Sequence, residues 1–319
     1  MKKLYILFII ALLGSPLLAQ QLPWYSLYRE NNFMLNPAIV GAERHAIATV
    51  SYRHQWFKVQ DAPKTMTAGF RAPLLRKSIG VGGNLIYDKT GPTGFIGGTA
   101  AISYHISFAK INPFHWARFL RKSKLSLGMS FSAYQYRLNS NELLLDQPND
   151  PSINQNQNGK IMPNAGIGLY YYYDKFYLGF SIPNVIPFNI QFDDVNTSSN
   201  LKRELHYYVV AGGKIPIGPA YKPTFTIEPM VWFKTVKNAP FQVDAHVRFK
   251  YKDFFWLGAG YRTKQTVVFD ASVLIKKQIQ ISYAYDQQLS DVRSYIGNSH
   301  EILIGYHFPE KKKRYKRYD

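Results

Sequence analysis

From about residue 44 onward, polar and apolar residues alternate in segment after segment. The sharpest case is Gln278-Ile279-Gln280-Ile281-Ser282-Tyr283-Ala284-Tyr285-Asp286, where Ile279, Ile281, Tyr283 and Tyr285 make one face and Gln278, Gln280, Ser282, Ala284 and Asp286 the other. Successive side chains of a strand point to opposite faces, so this segment is a strand with one oily and one wet surface. Phe241, Val243, Ala245, Val247, Phe249 and Tyr251 repeat the pattern against Gln242, Asp244, His246, Arg248 and Lys250. The inner face of a soluble sandwich rarely carries such an unbroken polar row. The pattern predicts an all-β transmembrane antiparallel β-barrel, its oily face toward lipid and its wet face toward the lumen.

Alternation predicts strands over 44–54, 64–72, 79–87, 94–108, 124–137, 162–172, 175–182, 204–217, 222–235, 241–251, 254–262, 265–275, 278–286 and 299–308, about 14 in all. An even count suits a single-chain outer-membrane barrel. With both termini periplasmic, the connections after odd-numbered strands face outward, and these include the long 138–161, 183–203 and 287–298. Those after even-numbered strands are mostly tight, as at Tyr173-Asp174, Lys252-Asp253 and Lys276-Lys277, which matches short periplasmic turns and longer outer loops. The exception is 109–123, where Phe114, Trp116, Phe119 and Leu120 stand beside Arg118, Arg121 and Lys122. It reads either as a short interfacial amphipathic helix or as an aromatic loop folded under the barrel, and in both cases as a periplasmic contact patch.

The ends of the chain set its organisation. Lys2 and Lys3 precede an apolar run from Leu4 to Leu13 and a small-residue cleavage point after Ala19, so 1–19 reads as a secretory signal peptide. Residues 20–43 then form an N-terminal periplasmic lead-in, 44–308 the barrel as one domain, and 309–319 a basic periplasmic tail. Beyond the signal no apolar run is long enough for a spanning helix, although 46% of residues are hydrophobic. A closed barrel is the other arrangement that satisfies backbone polar groups in lipid. With no cysteine, disulfides and thiolate metal sites are excluded. The 24 Tyr, 21 Phe and 5 Trp fit girdles at the two membrane interfaces. The net charge of +19 becomes +17 without Lys2 and Lys3 (19 − 2), and in an exported chain it points to anionic outer-membrane lipid or an acidic partner rather than nucleic acid.

The chemistry of hydrolases is missing from the pattern. Ser103, His105 and Ser107 share one face of a strand and His246 lies near Asp244 and Arg248, but no Gly-x-Ser-x-Gly elbow accompanies them. His300-Glu301-Ile302-Leu303-Ile304 puts Ile where a zinc-binding His-Glu-x-x-His needs its second ligand. No catalytic, metal or cofactor site is assigned. Arg53, Arg71, His105, Gln242, Asp244, His246, Arg248, Lys250, Gln280 and Asp286 face the lumen with both signs of charge; they either line an anion-preferring pore or knit a filled lumen by ion pairs. Partner contact is assigned to Asn154, Gln155, Asn156, Gln157 and Asn158 in the outer connection, to Trp116, Arg118 and Arg121 on the inner side, and to Lys311, Lys312, Lys313 and Arg314 in the tail.

The order of local motifs resembles the PorP/SprF family of outer-membrane proteins associated with type IX secretion and gliding motility. The resemblance runs from Gln21-Leu22-Pro23 and Leu35-Asn36-Pro37-Ala38-Ile39-Val40-Gly41 through Tyr52-Arg53-His54-Gln55-Trp56, Gly80-Val81-Gly82-Gly83 and Asp88-Lys89-Thr90-Gly91-Pro92-Thr93. It continues at Pro163-Asn164-Ala165-Gly166-Ile167-Gly168 and Tyr177-Leu178-Gly179-Phe180-Ser181-Ile182-Pro183-Asn184, and closes at Tyr285-Asp286 and Ser299-His300-Glu301-Ile302. It implies secretion or surface anchoring of a cargo protein with a type IX C-terminal domain, commonly a large adhesin, together with periplasmic type IX components. A passive outer-membrane porin is the alternative. Most of the matched glycines have a structural role, permitting barrel curvature and close backbone approach.

Overall fold

The computed structural model describes residues 25–74, 78–108, 123–139, 142, 157–189, 202–203, 205–219, 223–236, 240–263 and 265–309. Fourteen strands follow one another: β1 (Ile47–His54), β2 (Lys64–Leu74), β3 (Ile79–Thr90), β4 (Thr93–Ser107), β5 (Lys124–Leu138), β6 (Gln157–Tyr172), β7 (Phe176–Ile182) and β8 (His206–Gly213, continued after Lys214 by Ile215–Ile217). Then come β9 (Phe225–Val236), β10 (Gln242–Tyr251), β11 (Phe255–Arg262), β12 (Thr266–Ile275), β13 (Ile279–Gln288) and β14 (Ser299–His307). Each pairs antiparallel with its sequence neighbours, and β1 pairs with β14 from Ile47↔His307 to His54↔His300, so the sheet closes on itself and leaves no edge.

The hydrophobic pattern is turned inside out relative to a soluble protein. Outward-facing Val50, Leu85, Phe131 and Ile161 are 61–67% exposed, whereas inward-facing Thr49, Ser51 and Arg53 are each 3% exposed. In β13, Ile279, Ile281 and Tyr283 face out while Gln280, Ser282 and Asp286 are buried, as the alternation requires. Such a belt is stable against hydrocarbon and would be costly in water.

The short connections are tight turns. Lys252 and Asp253 (φ 46° and 53°) and Lys276 and Lys277 (φ 49° and 60°) hold the paired left-handed conformations of two-residue hairpins. The three long connections, after β5, β7 and β13, gather at the opposite end. The one after β7 contains a two-residue ladder, Phe188–Asn189 against Lys202–Arg203. The one after β13 carries a short helical turn, Arg293–Ile296.

Two expectations change. β6 starts at Gln157 rather than near 162, so Gln157 and Asn158 pair with Leu138 and Arg137 and are strand residues, not loop residues. The ladder runs past the point where hydrophobic alternation stops, because a strand protruding beyond lipid has no oily face to maintain. Asn154, Gln155, Asn156, Trp116, Arg118, Arg121, Lys311, Lys312, Lys313 and Arg314 lie outside the described residues, as does the signal peptide.

The second change concerns the lead-in. Residues 25–43 are not beside the barrel but inside it, with Leu27, Ala38 and Val40 at 0–1% exposure. The segment carries no alternating face to offer lipid. It does carry a chain of backbone and side-chain polar groups that the wet inner wall can satisfy.

Candidate functional site in the barrel lumen

The lumen segment has a direction. Ser26 lies against Arg53, Asp286 and Glu301, all within two residues of strand ends at the long-loop end, and Tyr25 packs with Ile86 and Phe95 near the β3–β4 turn. Val40 and Glu43 sit instead beside Ser103, His105 and Arg71, near the short-turn end where β1 begins. The chain thus crosses the lumen before it enters the sheet, and its first and last described residues lie at opposite ends of the barrel.

The half nearer the short turns is held by close backbone packing. Asn36 starts a 3-10 turn, Pro37–Ile39, by accepting from the Ala38 amide at 2.9 Å. Its Nδ2 donates across the lumen to the Leu169 carbonyl of β6 (2.9 Å) and the Phe180 carbonyl of β7 (3.2 Å). Ser181 donates to the Leu35 carbonyl at 2.6 Å, and Thr49 to Asn31 Oδ1 at 2.6 Å. This turn approaches the wall so nearly that a Cβ at Gly128 would fall on the Ala38 backbone and one at Gly168 on the Asn36 side chain. A Cβ at Gly80 would meet the Val40 carbonyl, opposite Gly41 at φ +76°. Close approach is therefore the reason for Gly80 and Gly168, as the sequence suggests; Gly128 escapes sequence reading because nothing local to β5 distinguishes it.

The half nearer the long loops is held by ions. Arg53 donates to Asp286 (2.6 Å), Glu301 (3.1 Å) and Ser26 Oγ (2.9 Å), while the Ser26 amide and hydroxyl donate to Glu301 (2.6 Å) and Asp286 (2.7 Å). Arg29 pairs with Glu228 at 2.9 Å, and Glu30 with Arg248 at 2.8 Å. Arg248 continues to Asp270 (2.9 Å), which also meets His246 (2.7 Å), and Arg262 bridges Asp244 (3.0 Å) and Asp286 (3.3 Å). Charges removed from water need such partners, and an unpartnered one at this depth costs several kcal/mol, on the order of 3–5. Of the two uses open to these residues, the geometry selects a lumen knit by ion pairs around a segment of the chain itself.

The Ser103 and His105 pair belongs to the same clamp. Ser103 Oγ donates to the Val40 carbonyl at 2.5 Å, His105 Nε2 approaches the same oxygen at 2.8 Å, and His105 Nδ1 lies 3.0 Å from the Tyr172 hydroxyl. Their polar atoms grip backbone, and His105 has a phenol rather than a carboxylate behind it. Asp88 accepts from Thr65 (2.5 Å) and Thr90 (3.3 Å), fixing the turn before Thr93. A residual cavity of about 60 Å³ lies between the segment and the wall, bordered by Met34, Leu35, Asn84, Tyr134 and Asn184.

At the long-loop end the β1–β2 connection is stitched to the β13–β14 connection by Phe57 N to Asn298 O (2.9 Å) and Lys58 N to Ile296 O (3.2 Å). Beside this platform a polar cleft of about 550 Å³ is bordered by Lys58, Gln287, Asp291, Arg293 and Asn298.

Among solved structures the chain is similar to the Ralstonia pickettii toluene transporter TbuX, at 10% identity and a TM-score of 0.47 over 87% of this chain and 93% of that one. It is similar to the CymD monoaromatic hydrocarbon channel at 10% identity and a TM-score of 0.48, over 87% and 92%, and to the KdgM porin at 10% and 0.38, over 82% and 99%. A search of the curated proteins finds no match. A family model described as type IX secretion system membrane protein PorP/SprF matches residues 17–306, nearly the whole chain. This closed barrel belongs to the PorP/SprF family of type IX secretion system membrane proteins.

Proposed function

We propose that the barrel serves type IX secretion as an outer-membrane fixture that supports export or surface anchoring of a cargo protein bearing a type IX C-terminal signal, as a large adhesin does. The cargo docks at the long-loop end, which faces outward; periplasmic type IX components meet the short-turn end, where the C-terminal strand finishes. The observation that carries this reading is the occupied lumen: a segment pinned across it by Arg53, Glu228 and Arg248 does not suit an open, passive pore. A rigid scaffold with long loops at one end is suited to binding instead.

The experiment removes residues 143–155 from the β5–β6 connection, leaving β6 intact from Gln157. The expected result is a barrel that still assembles, shown by heat-modifiable mobility, with reduced surface display of one type IX cargo. Large steady conductance of the purified wild-type protein in planar bilayers, with cargo display unaffected by the deletion, would establish the porin reading in its place.

A further inference from the structure

The two-residue hairpins at the short-turn end are built from the wrong residues for their backbone. Paired left-handed turns favour Asn-Gly because an ordinary side chain clashes there with its own backbone, yet Lys276 and Lys277 both occupy the region, at φ 49° and 60°. Lys252 does so at 46°, two strands away on the same rim. Lysine has no short polar group to compensate locally, so the turn alone does not account for it.

These lysines stand in an arc. The Lys214 amide donates to the Lys175 carbonyl at 2.7 Å, joining the β6–β7 turn to the break in β8. Lys250 bridges to Asp253 at 2.8 Å, and Lys252 lies over the Tyr251 ring at 5.1 Å. The hydrogen bond from Lys250, with the nearby charges of Lys214 and Lys277, holds the Asp253 carboxyl below the usual carboxylate range. Lys175, Lys214, Lys252, Lys276 and Lys277 are exposed. Next to them are the outward-facing apolar side chains Phe176, Ile215, Ile275 and Ile279 and the turn residue Phe254, 39–53% exposed. Cations at the edge of an apolar belt lie at the depth of lipid headgroups.

We propose that this lysine arc binds the anionic phosphates of phospholipid headgroups in the leaflet facing the short-turn end, and that the strained Lys-Lys turn is kept for that contact. Position favours lipid over a protein partner, because each of these lysines stands within two residues of an exposed apolar side chain at the end of the belt.

The test compares the full chain with the triple variant Lys252→Asn, Lys276→Asn, Lys277→Gly, in detergent, by native mass spectrometry with phosphatidylglycerol or phosphatidylcholine and by thermal unfolding. Phosphatidylglycerol affinity should fall by roughly fivefold per lysine removed and lose most of its salt dependence, phosphatidylcholine binding should stay unchanged, and the melting temperature should rise because the new residues suit the turns. Unchanged phosphatidylglycerol binding overturns the proposal. So does a parallel loss of stability and of binding to both lipids, which would make the lysines structural, or salt-sensitive capture by these lysines of an acidic protein but not of phosphatidylglycerol.

Discussion

Replacing Gly128 with leucine should expel the lumen segment without dismantling the barrel. A Cβ at this position would overlap Ala38 and the Pro37 carbonyl carbon, all backbone atoms, so no rotamer change relieves the clash and the turn Pro37–Ile39 must move. What it gives up can be counted: the two bonds from Asn36 to Leu169 and Phe180, the one from Ser181 to Leu35, and those from Ser103 and His105 to Val40. At ~1 kcal/mol net apiece, their loss removes about 5 kcal/mol of docking energy, enough to populate the displaced state heavily. The β5 ladder itself loses nothing, since leucine is at home in a strand. Limited proteolysis within 25–43 and single-channel conductance report the result: wild type protected and silent, the variant cleaved and conducting, both heat-modifiable. Gly98→Ala, whose Cβ would meet only the movable Leu85 side chain at 3.2 Å and the Asn84 carbonyl at 3.8 Å, is the control and should behave as wild type. A folded Gly128→Leu protein that stays protected and silent would refute the claim that close backbone approach holds the segment.

Arg53→Met strips one cation from the buried carboxylates Asp286 and Glu301 and should destabilise the protein by about 3–5 kcal/mol, read by urea unfolding in lipid vesicles; adding Glu301→Gln should recover part of the loss, and no recovery would mean that Arg53 acts by packing alone. A tag placed just ahead of Tyr25 should be labelled from the same side of the membrane as a tag in the β5–β6 connection and from the opposite side to one after Pro309; labelling of all three from one side would contradict the crossing of the lumen.

How much of this was legible in the sequence depends on which partner each residue faces. The fourteen strands were, because lipid imposes a strict two-residue period on every segment it touches, and β13 shows that period without a flaw. The start of β6 was not, since Gln157 and Asn158 pair beyond the belt where only the ladder matters. The lumen segment was hidden for a related reason. Ser26, Arg29, Glu30 and Asn36 have no period, and each is explained by a wall residue 133 to 275 positions away. The mixed charge of Arg53, Arg248 and Asp286 was visible, but a wet pore and an ionic clamp demand the same alternation, so nothing short of the fold could separate them.

The division of labour around the wall explains why the segment runs where it does. A barrel of this strand number is wider than side chains can fill from the wall alone. On β1 to β7 many inward residues are small, among them Thr49, Thr67, Gly80, Ser103, Gly128, Gly168 and Ser181, and this is the side against which residues 31–43 lie. β9 to β14 carry more long charged residues: Glu228, Arg248, Asp286 and Glu301 meet Arg29, Glu30 and Ser26, with Asp270 and Arg262 paired behind them. The small wall makes room and the charged wall grips. Since the grip involves β1, β9, β10, β13 and β14 while the packing involves β3, β5, β6 and β7, the segment ties both halves of the barrel together. The hydrogen bonds from Arg53 on β1 to Asp286 on β13 and Glu301 on β14 enclose Ser26 beside the β1–β14 pairing, so the segment also braces the place where the sheet closes on itself.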